Sequence, residues 1–195
     1  MQSSNANPRR INKGRSLIGL LDNYTVIDIE TTGLDPQNNN IIEIAALRVV
    51  NGLPGEQFSS LVNPACKVNK FITDLTGITN KMLANAPMII DVLPGYLDFI
   101  GEGIVVGHNV NFDINFIYEN TEKHLQQSFT NDFLDTMKLS RKLFSENRHH
   151  RLCDLVMRFG ICESVEHRAL ADVMQTQRCY EYMKEYIKTN GIIKY

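Results

Sequence analysis

Apolar and polar positions group along this chain in two textures. From Tyr24 the run Tyr-Thr-Val-Ile-Asp-Ile-Glu is rich in β-branched residues and has the composition of a strand. Two more strand-like runs follow, over 41–50 and 57–63, set apart by Asn-Gly and Pro-Gly turn signals. Three strands with such short connections predict an antiparallel meander. The texture then turns helical. Thr79 has the side chain of an N-cap for a short helix over 80–85, and Pro87 opens a longer one to about Phe99. The stretch 103–109 reads as a short buried strand, 111–123 as helix, 133–136 as strand and 137–145 as helix. Leu152, Leu155, Val156 and Phe159 recur at helical spacing, and a last helix is expected from Ala169 to Lys188. Strands in series followed by strands alternating with helices describe a mixed α/β sheet covered by helices.

Composition narrows the class. The chain has 195 residues, 43% hydrophobic and 22% charged, close to ordinary globular proportions. That excludes disordered, fibrous and disulfide-scaffold classes. No apolar run approaches the roughly 18 residues of a membrane span, and the opening residues lack the apolar stretch of a secretory signal. The expectation is a cytoplasmic protein with no membrane partner. Cys66, Cys153, Cys162 and Cys179 show neither a paired spacing nor a metal-ligand rhythm and read as reduced thiols. We expect a polar basic arm over 1–22, one folded domain over 23–190 and a short tail over 191–195, without repeats or internal linkers.

Charge is distributed unevenly. The net charge is −2, yet residues 1–21 hold Arg9, Arg10, Lys13 and Arg15 with no acid. Residues 136–151 carry Lys138, Arg141, Lys142, Arg148 and Arg151 against Glu146 alone. Such a stretch is either a solvated helix face or a surface that meets phosphate.

Three short motifs carry chemistry. Asp28 and Glu30 lie two apart in an apolar strand and therefore point to one side of the sheet. Two like charges about 4 Å apart repel by about 4 kcal/mol at an effective dielectric near 20, so a buried pair calls for a cation between them. The alternative is a strand end with two solvated acids. Thr31 to Gly33 follow, with a turn that Gly33 permits and backbone N–H groups suited to a phosphate or sugar. Asp-Ile-Glu-Thr-Thr superficially resembles a phosphatase nucleophile motif, but the adjacent aspartates that such enzymes also need are absent from the chain. The second motif, residues 107–113, puts Asp113 just inside a helix after a short strand, where a helix-dipole role is the plain alternative. His108 reads as a hydrogen-bonding histidine, and Phe112 as core or as a ring that stacks on a base. In the third, His167 precedes Asp172 by five residues, about 140° apart on a continuous helix. For both to serve one site, His167 must lie in the loop before the helix and Asp172 in its first turns.

Taken together, Asp28-Ile-Glu30-Thr-Thr-Gly-Leu, His108-Asn109-x-x-Phe112-Asp113 and His167-x-x-x-x-Asp172 resemble the DEDDh, or DnaQ-like, 3′→5′ exonuclease family. This family is typified by the proofreading subunit of bacterial DNA polymerase III. The resemblance runs from about Tyr24 to Tyr186 and includes Leu75-Thr76-Gly77-Ile78-Thr79 and the helix ending at Arg158-Phe159-Gly160-Ile161. Its details are closest to the exonuclease domains of Gram-positive replicative polymerases.

The resemblance implies a ribonuclease H-like fold, a five-stranded mixed sheet flanked by helices. It implies hydrolysis of DNA from a 3′ end to nucleoside 5′-monophosphates through two divalent ions, Mg²⁺ or Mn²⁺, in proofreading or repair. Asp28 would bridge both ions, Glu30 and Asp172 would hold the nucleophile's ion, Asp113 the leaving group's ion, and His167 would take the proton from the attacking water. Thr31 and Gly33 would contact the terminal nucleotide through the backbone, Leu34 would wedge against its base, and Phe112 would stack or line the pocket. Thr76 aligns where some relatives carry a histidine near the terminal 3′-hydroxyl, and Asn109 would hold the loop before Asp113. The implied partners are single-stranded 3′ ends of DNA and a DNA polymerase. The alternatives are an RNA-trimming exonuclease similar to ribonuclease T or oligoribonuclease, and an inactive nucleic-acid-binding module of a polymerase or helicase assembly.

Overall fold

The computed structural model describes residues 13–161 and 167–191. Cys162, most of the basic arm and most of the tail lie outside the described residues. The elements in chain order are β1 (Ser16–Leu17), β2 (Tyr24–Thr31), β3 (Ile41–Val50), β4 (Leu53–Leu61), α1 (Lys70–Thr76), α2 (Asn80–Leu83), α3 (Ile89–Ile100), β5 (Val105–Gly107), α4 (Asn111–Leu125), β6 (Phe133–Asp135), α5 (Thr136–Leu143), α6 (Leu152–Arg158) and α7 (Ala169–Asn190). One sheet runs in the order β1-β6-β5-β2-β3-β4. β2, β3 and β4 form the expected antiparallel meander, and β5 and β6 add in parallel beside β2.

The sheet has six strands rather than the five expected. The extra one, β1, is a two-residue edge strand parallel to β6, within the segment that reads as an arm. Its own sequence has no strand signal; the sheet edge recruits it. Arg15 grips Asp132 through its backbone N–H (2.7 Å) and its guanidinium (2.7 Å), and the Arg15 carbonyl accepts from Phe133 N–H. Gly14 allows this approach: a Cβ there would sit 1.9 Å from the Asn131 carbonyl oxygen. Helix α1 is a second addition. Asn69 caps it by accepting from Ile72 N–H (3.0 Å) and Gly77 ends it in the left-handed region, but seven residues are too few to display a period.

Strand parity sorts the side chains onto two faces. Ile27, Ile29, Ile44, Ala46 and Val105 pack under α3 and α4 with Leu93, Tyr96, Ile114 and Phe116. Val26, Ala45, Leu47, Val106 and Leu134 pack under α5 and α7 with Leu139, Ala169, Val173, Tyr180 and Met183. Both faces of the central strands are covered, so these strands read as nearly continuous apolar runs and a charged residue among them is conspicuous. By parity Asp28, Glu30 and Glu43 belong to the α7 face. Among the described residues no helix is long and apolar enough to cross a membrane.

Candidate active site

The acids gather at the carboxyl ends of the parallel strands β2, β5 and β6, the usual ligand-binding end of an open α/β sheet. Oxygens from Asp28, Glu30 and Asp172 all lie within 4.8 Å of one another. Asp28 and Glu30 come from β2, where the register against β3 shifts between Glu30 and Thr31, a bulge that ends regular pairing beside the site. Asp172 comes from the first turn of α7, while His167 lies exposed in the approach to that helix, outside it. This is where the histidine must lie for the two to serve one site.

Asp113 reaches the same end from α4, on the opposite face of the sheet. β5 stops at Gly107, so Ile29 of β2 has no strand neighbour on that side, and its N–H donates to Asp113 Oδ1 (3.1 Å). Asp113 is buried, and its charge helps to push up the carboxyl of Asp28.

The electrostatics are those of crowded, desolvated carboxylates. Burial is the largest cause for each. Asp28 is pushed well above the usual carboxylate range by burial and then by Asp113, Asp172, Glu30 and Glu43. Glu30 is pushed up to about 8 by burial, Asp172 and Glu43, with Arg168 opposing. Asp172 is pushed up to about 7 by burial and Glu43. Asp113 is also raised by burial, against the hydrogen bond from Ile29. Asp172 Oδ1 is buried and has no hydrogen-bond partner among the described residues. An orphaned carboxylate oxygen amid further acids, with an all-oxygen donor set, fits a hard divalent cation.

Other expected residues occupy varied positions. Thr31 is buried and donates to the Gly33 carbonyl (2.6 Å), shaping the turn, and Gly33 lies where a Cβ would meet Asn39 Oδ1 at 2.3 Å. Leu34 is 86% exposed beside that turn, an apolar side chain with no packing role of its own. Phe112 is half-buried with its ring 5.0 Å from Phe116. Asn109 adopts φ 63°, and its N–H donates to Asp135 Oδ1 (3.0 Å). Thr76 is buried and its hydroxyl is committed: it donates to the Ile72 carbonyl (2.9 Å) and accepts from Ile78 N–H (3.1 Å).

Three further participants carry no motif in the sequence. Asp135 ends β6 and caps α5 by accepting from Met137 N–H (2.9 Å), while also holding the Asn109 turn that leads to Asp113. Its place before a helical run is the available signal. Glu43 is a buried acid in an apolar strand, facing Glu30 in the β2–β3 register. His150 is buried and joins His108: His108 Nε2 meets the His150 carbonyl (2.8 Å), and its Nδ1 meets Thr136 Oγ1 (3.0 Å). A carbonyl only accepts, so the network assigns His108 the Nε2–H tautomer. Burial lowers the His108 pKa, in keeping with a neutral ring. This network fastens the basic segment 144–151 to the end of β5, the same end of the sheet as the acids.

The comparisons agree with this geometry. A family model described as Exonuclease, of the RNase T type, matches residues 25–180. The DNA polymerase III subunit epsilon of Aquifex aeolicus (strain VF5) is 42% identical over 162 residues, covering 83% of this chain and 80% of that protein. The PolC-type DNA polymerase III of Caldanaerobacter subterraneus is 38% identical over 179 residues, 92% of this chain but only 13% of that much longer protein. Among solved structures, exonuclease X in complex with 5′ overhanging duplex DNA superposes with a TM-score of 0.66 at 26% identity, covering 86% of this chain and 93% of that one. E. coli exonuclease I with a dT13 oligonucleotide reaches a TM-score of 0.74 at 18% identity, over 87% of this chain and 42% of the other, a likeness of fold. By motif order, sheet topology and the extent of these matches, the chain belongs to the DnaQ-like 3′→5′ exonuclease family.

Proposed function

We propose that this protein removes nucleotides from single-stranded 3′ ends of DNA, in proofreading or repair, using Mg²⁺ or Mn²⁺ ions held by Asp28, Glu30, Asp113 and Asp172. The observation that carries the reading is the convergence of Asp28, Glu30 and Asp172 within 4.8 Å, with Asp172 Oδ1 buried and unpartnered among the described residues. A pair of divalent ions at such a site supplies charge stabilisation to both the attacking and the leaving oxygen of an in-line displacement. The protein's own groups do the rest. Asp28 and Glu30 are fixed by a strand buried on both faces, and Asp113 is fixed by its bond to Ile29. His167, exposed ahead of α7, accepts the proton of the attacking water. The turn from Thr31 to Gly33 supports the terminal nucleotide, and exposed Leu34 offers an apolar surface to its base. Arg141, Lys142 and Arg148 are exposed without ion-pair partners among the described residues, and form the surface that meets upstream phosphates.

The family resemblance to the epsilon subunit and to PolC-type polymerases supports association with a replicative DNA polymerase. Digestion of matched 3′-labelled DNA and RNA oligomers, single- and double-stranded, with Mg²⁺ and with Mn²⁺, tests the reading. Metal-dependent release of deoxynucleoside 5′-monophosphates that disappears in Asp28→Asn is expected. Preferential release of nucleotides from the RNA would redirect the assignment to RNA trimming, and release of nothing would sink it.

A further inference from the structure

Helix α7 carries Asp172 and follows His167, yet its own sequence does not cap it. Arg168 stands at the N-cap with no side-chain hydrogen bond to the first turn. The first helical amide is met from elsewhere: Ala169 N–H donates to Glu43 Oε2 (2.9 Å), reaching across 126 residues to strand β3. The same carboxylate receives Arg168, with Nη2 at 2.6 Å from Oε1 and Nε at 3.1 Å from both oxygens. Glu43 is 2% exposed and sits opposite Glu30 in the sheet register. One buried carboxylate thus ties the strand pair that bears Asp28 and Glu30 to the helix end that bears Asp172.

We propose that Glu43 is a positioning residue for the nuclease reaction: it holds the N-terminus of α7 so that His167 and Asp172 meet the acids of β2. The inference rests on the nuclease reading above and deepens it. Three carboxylates within 4.8 Å repel, and without a restraint Asp172 would relieve the repulsion by moving the helix end outward. Glu43 resists that movement through a hydrogen bond to a helix N-terminus, where an anion is favoured. Arg168 balances the charge of Glu43, so the restraint adds little net negative charge, and Arg168 also opposes the upward push on Glu30. Truncating Glu43 leaves the Ala169 N–H and the guanidinium of Arg168 without this acceptor, and lets His167 and Asp172 drift. Displacement of a reacting group by about 1 Å is enough to cost about 10²-fold in rate.

The test compares the full chain with Glu43→Ala and Glu43→Gln. It uses steady-state digestion of a single-stranded DNA oligomer with Mn²⁺, Mn²⁺ binding by calorimetry, and NMR exchange of the Ala169 amide. For Glu43→Ala we expect kcat to fall about 10²-fold with KM within about threefold, as for a group that never touches substrate. Mn²⁺ affinity should fall, and the Ala169 amide should exchange at least about tenfold faster, having no acceptor. Glu43→Gln, which keeps an acceptor oxygen of the same reach, should restore most of the amide protection and part of kcat. Glu43→Ala overturns the proposal if it melts earlier but keeps kcat within about twofold of wild type, as does Glu43→Gln if it loses the amide protection yet keeps that kcat, and so does a rise in KM at unchanged kcat. If Glu43→Ala fails to fold, Glu43→Gln decides by its kcat. If the wild type binds Mn²⁺ but releases no nucleotide, the nuclease reading fails, and unchanged Mn²⁺ affinity and amide exchange in the variants would then overturn the positioning role separately.

Discussion

Asp113 Oδ1 accepts the backbone N–H of Ile29 at 3.1 Å, joining a helix to a strand 84 residues earlier. The bond stands where β5 has ended and β2 continues, so a carboxylate replaces a strand neighbour. Removing that acceptor leaves a buried N–H, at a cost of about 1–3 kcal/mol. Asp113→Ala should therefore lose both activity and about that much stability in urea unfolding. Asp113→Asn keeps an acceptor oxygen and sheds a repelling charge, so it should lose activity while remaining as stable as wild type or more so. Equal destabilisation by both variants would show that the bond does not matter.

The crowded acids make a pH prediction with a definite sign. In the metal-free fold Glu30 is pushed up to about 8 and Asp172 to about 7, against ordinary values of 4.5 and 3.8. The folded state therefore holds protons that the unfolded chain has already released. Their contribution to stability is present at low pH and is lost as pH rises from about 3.8 to about 8, levelling off above. Melting the metal-free protein across that window should show a declining Tm, and a flat or rising profile would contradict the burial of these charges.

Divalent ions should reverse this loss, because they neutralise the repulsion that the folded state bears. A ligand at about 100 times its dissociation constant adds about 2.7 kcal/mol. Mn²⁺ should raise Tm more at pH 8 than at pH 5.5, and Asp28→Ala should abolish the rise. An identical shift in Asp28→Ala would remove the ion from these carboxylates.

His167 should separate turnover from ion binding. It lies outside α7 and exposed, and general bases typically contribute about 10²–10⁴ in rate. His167→Ala should keep the Mn²⁺-induced rise in Tm and turn over about that much more slowly. Near-normal activity, or loss of ion binding as complete as in Asp28→Ala, would end its assignment as the base.

The basic stretch 136–151, tied to His108 through Thr136 and to His150 through Ser140, should govern the grip on the strand. Reversing Arg141 and Arg148 to Glu should raise KM and flatten its salt dependence, by about 0.7 in the log–log slope for each phosphate of a single strand that is no longer neutralised. With a net charge of −2 the protein should release its substrate often, giving distributive digestion. Unchanged KM and salt slope would make this segment only a solvated face.

Much of this architecture is legible along the chain because strand and helix periods are local. The parity of Asp28 and Glu30 puts both on one side of β2, and the five-residue interval between His167 and Asp172 puts the histidine off the helix if the two serve one site. Capping chemistry marks α2 at Thr79. The tertiary structure decides what local periods do not encode. Ser16 and Leu17 form a strand because β6 offers an unpaired edge and Arg15 finds Asp132, not through any propensity of their own. Thr76, placed near the substrate by family resemblance, turns its hydroxyl inward to close α1. Glu43 is only an acid in an apolar strand until α7 lies above it with an uncapped amide and Arg168. A buried polar group takes its meaning from its partner, and across 126 residues only packing supplies that partner.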